Sequence, residues 1–102
     1  IRSSDYLMAG HVNRMQYCAL HMMIAKAVGL KPGKFTVFTQ NLHIYDRHIK
    51  SAIELLGRDP SSEVPVFKFE PKSDNFYDFT IDDFSMENYY PVKPQIKLEI
   101  AI

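Results

Sequence analysis

The stretch 10–28 constrains this chain more than any other. Val12, Met15, Leu20, Met23, Ile24 and Ala27 recur at helical spacing, and Tyr17, Cys18, Met22, Ala25 and Val28 fill positions between them. A surface helix keeps one face polar, whereas a helix that is apolar on more than one face has to lie between other layers. Gly29 and the Pro32-Gly33 pair bring it to a stop. With 102 residues, 46% hydrophobic and 13% aromatic, the chain has enough apolar material for a single domain with a sizeable core.

Shorter elements surround this helix. Residues 35–38 and 42–45 are rich in aromatic and β-branched side chains and predict a long strand, interrupted by Thr39-Gln40-Asn41. Asp46 is placed to cap a second, amphipathic helix with Ile49, Ile53 and Leu56 on one face, ended by Gly57 and Pro60. Residues 64–69 alternate as a half-buried edge strand does, with Pro65 at its start, and 96–102 alternate again at the chain's end. The expected fold is therefore α+β, a long buried helix packed on a mixed β-sheet, with 1–102 as one domain. Ile1-Arg2-Ser3 reads as the middle of an element, so a fragment of a longer chain is expected.

Charge excludes some partners. Twelve basic and twelve acidic residues give zero net charge with no long run of one sign, which argues against general attraction to nucleic acid or to a membrane surface. A single cysteine cannot form an internal disulfide, and neither a signal peptide nor an unbroken apolar stretch of about 18 residues is present, so a cytoplasmic setting is expected.

Most familiar catalytic patterns are missing. Cys18 sits among apolar neighbours without a base, cation or helix N-terminus to stabilise its thiolate, and reads as an inert buried thiol. His11, His21, His43 and His48 lack metal-ligand spacing, so no metal is expected. No phosphate-binding glycine loop or G-x-S-x-G elbow occurs.

What remains is a set of polar residues where a core-building sequence would not place them. His43 and Tyr45, two apart on a strand, share a face and suit a sugar hydroxyl, or equally a backbone partner. Asn13, in the first turn of the long helix, suits either a helix-start role or a pyrimidine ring, since a carboxamide can pair with the N–H and carbonyl of uracil. Arg2 and Ser3 form a candidate anion site, and Asp5 can accept from a heterocycle's N–H groups or cap backbone amides.

In order and spacing, Arg2-Ser3-x-Asp5, Asn13, His43-Ile44-Tyr45, the FYDFTIDDF run from Phe76 to Phe84, and Pro94-x-Ile96-Lys97 through Ala101-Ile102 resemble the C-terminal half of the thymidylate synthase family. The resemblance spans the whole chain. It implies an enzyme that methylates deoxyuridine monophosphate (dUMP), with 5,10-methylenetetrahydrofolate supplying both the carbon and the hydride, and that works as a homodimer. By the same resemblance Arg2 and Ser3 contact the phosphate, Asn13 the pyrimidine, His43 and Tyr45 the deoxyribose hydroxyl, and Asp5 the folate pterin. The terminal carboxylate of Ile102 matches the end of a tail that folds over the bound ligands. The family's nucleophilic cysteine lies in a Pro-Cys-His context upstream of Arg2, so this chain holds no catalytic residue and is expected to be inactive alone.

Some positions depart from the family. Ala9-Gly10-His11-Val12-Asn13 stands where Gly-x-Pro-Phe-Asn is usual, Asn41 where Asp is common, Glu99 where proline is usual, and Ile1 where glutamine is common. These mark a divergent member. Two other readings compete: a pyrimidine-nucleotide hydroxymethylase of the same superfamily, which omits the hydride step, and a non-catalytic nucleotide-binding or interaction module. Asn13 favours uracil over cytosine, because the cytosine-directed branch resembles the family with Asp there.

Overall fold

The structure, a computed structural model, describes residues 1–100. Its elements run β1 (Ser3–Asp5), a π-helical turn (Tyr6–Gly10), α1 (His11–Ala27), β2 (Asn41–His43), a 3₁₀ turn (Asp46–His48) and α2 (Ile49–Leu56). Then follow β3 (Val66–Phe69), 3₁₀ turns at Phe76–Asp78 and Ile81–Asp83, and β4 (Phe84–Glu87). The architecture is α+β as expected. Parallel and antiparallel pairing both occur, but in two separate two-stranded sheets, β1–β2 and β3–β4.

The chain forms two compact units. The first comprises Ile1–Arg14, Val37–Ser62 and the described part of the tail, 91–100. Its frame is the parallel pair of β1 and β2, with Ser3 opposite Asn41, Ser4 opposite Leu42 and Asp5 opposite His43. A parallel pair needs a long crossover rather than a tight turn, which is why its halves lie so far apart in sequence. Asp5 opens the π-helical turn by accepting from the Leu7 and Met8 amides at 3.1 and 3.3 Å. Gly10 closes it against β1: a Cβ there would lie 3.1 Å from the Asp5 carbonyl and 3.2 Å from Ser4 Oγ, so the close approach needs glycine.

Side chains, not a strand ladder, tether the tail in this unit. Arg58 Nη1 donates to the Pro94 carbonyl at 2.6 Å, His48 Nε2 to the Glu99 carbonyl at 2.7 Å, and Arg47 Nη1 to the Ile100 carbonyl at 3.3 Å. The alternation at 96–100 therefore builds an extended segment without a strand partner among the described residues; Ala101 and Ile102 lie outside them.

The second unit comprises Met15–Thr36 and Glu63–Tyr90. In it α1 ends in a Schellman motif: Leu30 N donates to the Ala25 carbonyl and Gly29 N to the Lys26 carbonyl, with Gly29 at φ 71°. β3 and β4 carry a cluster of rings. Phe84 stacks on Phe69 at 4.5 Å and on Phe67 at 5.4 Å, and Phe79 meets Phe69 edge-on at 5.0 Å. The polar residues among them are used locally: Asn75 Oδ1 accepts from Tyr77 N, Asp83 Oδ2 from Thr80 N, and Lys68 pairs with Glu87 at 2.6 Å.

Three local expectations are corrected. The run 35–38 is not a strand, because β-propensity is realised only against a neighbouring strand and none pairs with it among the described residues. Asp46 does not cap α2; it opens the tighter 3₁₀ turn, which carries His48 inward until only 2% of it is exposed. The long helix is present, but its burial is not reached among the described residues: Ala25 is its one buried residue, while Val12 and Ile24, and Val28 just beyond its end, are exposed, and Cys18 is only half-buried. Its apolar faces are read correctly and left uncovered by the described residues.

Candidate functional site

Strand alternation and register gather four of the polar residues. Because β1 and β2 pair in parallel with Asp5 opposite His43, the side chains of Ser3, Asp5, Asn41 and His43 lie on one face of the ribbon, with Ser4 and Leu42 on the other. The Arg-Ser-x-Asp and His-x-Tyr motifs, distant in sequence, are thus adjacent strands of one wall.

Each member is partly committed and partly open. Asp5 spends Oδ1 on the two backbone amides of the π-helical turn, which fixes the carboxylate's direction and leaves Oδ2 without a partner among the described residues. His43 Nδ1 lies 3.2 Å from the Asn41 carbonyl. A carbonyl only accepts, so Nδ1 carries the proton, and in the neutral ring Nε2 is then an acceptor facing outward. Tyr45 follows the end of β2, and its ring meets His43 edge-on at 5.2 Å, so the two do sit side by side as the spacing predicts. The Tyr45 hydroxyl has no partner among the described residues.

Arg2 and Ser3 stand at the exposed end of β1. The Arg2 carbonyl accepts from Asn41 N at 3.2 Å, which holds its backbone, while its guanidinium and the Ser3 hydroxyl have no hydrogen-bonding or ionic partner among the described residues. Asn13 is half-buried in the first turn of α1, and its carboxamide has no partner among the described residues either. The helix-start role is not what occupies it, since Asp5 caps the preceding turn. Asn13 is brought into the same unit as the wall, but no hydrogen bond joins its carboxamide to Ser3, Asp5, His43 or Tyr45. Ile102 lies outside the described residues. Chemically, the ensemble offers a cation and hydroxyl at one end, oriented acceptors along the middle, and a carboxamide that can both donate and accept.

Two contributors escape sequence reasoning. His48 is the most completely buried large side chain of the described residues, and Ser4 Oγ is buried without a partner between β1 and Gly10. The i, i+3 spacing of Tyr45 and His48 is the one signal that relates the former to the site; the rings meet edge-on at 6.1 Å. No group of three or more His, Cys, Asp or Glu side chains suited to a metal ion occurs among the described residues.

Comparison with known proteins gives one family. The family model described as Thymidylate synthase matches residues 1–102. Thymidylate synthases of Streptococcus pyogenes serotype M5 (strain Manfredo) and Streptococcus pneumoniae (strain ATCC 700669 / Spain 23F-1) are each 51% identical over 102 residues, covering 99% of this chain and 37% of the relative. Among solved structures, thermostable thymidylate synthase A from Bacillus subtilis superposes with a TM-score of 0.81 at 32% identity, over 95% of this chain and 35% of that one. The chain thus spans 37% of the length of these curated relatives. A family match that runs through every residue, on a fold that superposes over nearly all of them, is decisive: this chain belongs to the thymidylate synthase family.

Proposed function

We propose that the gene product carrying this chain methylates dUMP to thymidylate with 5,10-methylenetetrahydrofolate, and that these residues supply nucleotide- and folate-binding groups while the attacking cysteine lies outside them. The observation that carries the reading is the register of β1 and β2: it sets Ser3 and Asp5 beside Asn41 and His43 on one face, with hydrogen-bonding capacity left unfilled among the described residues. Arg2 and Ser3 bind the phosphate, where a planar fork and a hydroxyl match its oxygens. His43 Nε2 accepts from the deoxyribose hydroxyl, and the Tyr45 hydroxyl completes that contact.

Asn13 reads the pyrimidine. Its carboxamide donates to a ring carbonyl and accepts from the adjacent N–H, the order uracil presents. Asp5, already turned by two backbone amides, offers its second oxygen to the pterin, and the terminal carboxylate of Ile102 closes the tail over both ligands, excluding water from the reactive intermediate. The folate supplies the one-carbon unit and the hydride. Homodimer formation covers apolar surface of the kind that α1 presents at Val12, Ile24 and Val28.

The test is the product and the ligand preference of that gene product. Incubation with dUMP and methylenetetrahydrofolate yields thymidylate and dihydrofolate; a 5-hydroxymethyl product with tetrahydrofolate would establish the hydroxymethylase instead, and nucleotide binding without turnover the non-catalytic module. Asn13→Asp lowers dUMP affinity about 10- to 100-fold, because a carboxylate has no N–H for the ring carbonyl. Equal affinity in parent and variant removes Asn13 from the pyrimidine site.

A further inference from the structure

His48 is buried to a degree that its sequence position does not explain. With 2% exposure it is the most enclosed large side chain of the described residues, and Nε2 spends its hydrogen bond on a backbone carbonyl 51 positions away, Glu99, at 2.7 Å. Nδ1 is buried with no partner among the described residues. A buried polar ring with half its hydrogen-bonding capacity unused is costly unless its position serves something else. Two contacts define that position: the Tyr45 ring against its edge, and the tail carbonyl at Nε2. Tyr45 in turn lies edge-on to His43. The neighbouring Arg47 fixes the next peptide unit through the Ile100 carbonyl at 3.3 Å, so consecutive residues of one turn hold consecutive carbonyls of the tail.

We propose that His48 is a positioning residue: a latch that holds the tail at Glu99 and the Tyr45 ring in a single arrangement, so that release of the tail loosens the sugar-facing pair Tyr45 and His43. Its assignment to the sugar rests on the nucleotide reading above; its grip on the tail does not. The chemistry fits the role. The Nε2–H bond is directional and reaches main chain, so it fixes the tail whatever side chains the tail carries, and the side chain held by that bond is kept against the Tyr45 ring. Arg47, exposed on the same turn, reinforces the tail contact and has no hydrogen bond or cation–π contact with Tyr45 among the described residues.

Two measurements on the gene product carrying this chain separate the parts. Tryptic cleavage after the exposed Lys97 requires the segment holding Glu99 and Ile100 to leave its carbonyl clamps, so its rate without nucleotide reports the latch alone. Glutamine reaches as far as Nε2 whereas asparagine reaches only Nδ1. His48→Gln therefore keeps cleavage slow, His48→Asn speeds it about tenfold, and Arg47→Ala speeds it by a smaller factor. Identical cleavage rates in all four proteins overturn the latch, whether or not the protein binds nucleotide.

The second measurement is the ratio of affinities for dUMP and its 3′-deoxy analogue. The ratio falls toward one in His48→Asn, stays at the parent value in His48→Gln, and is unmoved in Arg47→Ala. General destabilisation weakens both ligands together and leaves the ratio intact, so an unchanged ratio in His48→Asn overturns the coupling to Tyr45. Failure of the parent to bind dUMP overturns the nucleotide reading, while the cleavage series still decides the latch. If His48→Asn does not fold, Arg47→Ala against the parent carries the cleavage test, and His48→Gln carries the ratio test, where a ratio near one overturns the proposal.

Discussion

The ribbon of β1 and β2 and the hairpin of β3 and β4 are built at similar size and finished in opposite ways. On the hairpin, polar groups find partners close at hand: Asn75 with Tyr77 and Asp83 with Thr80 within a few residues, and Lys68 with Glu87 across the two strands, all around a cluster of phenylalanine rings. On and beside the ribbon, backbone groups are paired but the Arg2 guanidinium, the Ser3 and Tyr45 hydroxyls and the Asn13 carboxamide have no hydrogen-bonding partner among the described residues, and Asp5 and His43 are each half used. Self-satisfied polarity marks scaffold. Oriented polarity left open marks a surface shaped for something else, since the chain has fixed these groups without consuming them.

The comparison is most easily broken at the hairpin's rings. Phe84→Ala removes the ring shared by Phe67 and Phe69 and lowers unfolding free energy by about 3 kcal/mol, the low end of the usual range because the ring is half-buried. Denaturant midpoints of the gene product measure it, and dUMP affinity of the folded fraction stays unchanged. Arg2→Ala reverses the pattern. Loss of a charge-assisted phosphate contact weakens dUMP binding by about 2 kcal/mol, near 30-fold, with stability within about 0.5 kcal/mol of the parent. A large stability loss in Arg2→Ala, with affinity intact, would place Arg2 in the scaffold and dissolve the contrast.

Asp5 sharpens it, because one carboxylate does both jobs. Asp5→Asn keeps an oxygen for the Leu7 and Met8 amides, so stability holds while folate affinity falls. Asp5→Ala loses the cap as well and costs about 1 kcal/mol of stability. The difference between the two variants, read by thermal unfolding beside folate titration, isolates the open oxygen from the committed one.

How much of this was legible in the sequence depended on the range of the interaction. The end of α1 at Gly29 could be read because a left-handed residue closing a Schellman motif is a local requirement. The adjacency of His43 and Tyr45 was legible from their spacing, although β2 ends at His43 rather than running on to Tyr45 as expected. The pairing of Asp5 with His43 is a parallel register across a long crossover, which no local pattern encodes, and neither β1 nor its pairing was foreseen. His48 was read only as a histidine without metal spacing, since its partner is a main-chain carbonyl and main chain has no sequence signature. The strand expected at 35–38 failed for a related reason: propensity describes what a segment can join, and Phe38, 84% exposed, is joined only through its carbonyl, which accepts from Ile1 N at 2.7 Å, with no strand beside it among the described residues.

The smallest effect belongs to the Lys68–Glu87 pair, and it tests the contrast from the scaffold side. The hydrogen bond from Lys68 to Glu87 raises the lysine's pKa above its ordinary 10.5, partly opposed by desolvation, with the Glu87 and Glu70 charges adding to the rise. A raised pKa in the folded state means that the pair's contribution is complete below the unfolded value and is lost as pH climbs through the folded one. Lys68→Met should therefore differ from the parent by the same small margin at pH 7 and pH 9, and the two should converge as pH climbs past the raised pKa of the folded lysine. Both side chains are substantially exposed, 36% and 54%, so solvent screens the pair and salt shrinks the margin further. Thermal midpoints across that pH series check the sign; a margin that widened with pH would contradict it. Nucleotide affinity should not change at any pH where the protein is folded, because Lys68 has its counter-charge within the hairpin, whereas Arg2 finds none among the described residues. A cation's worth to a ligand is set by whether the fold has already answered it.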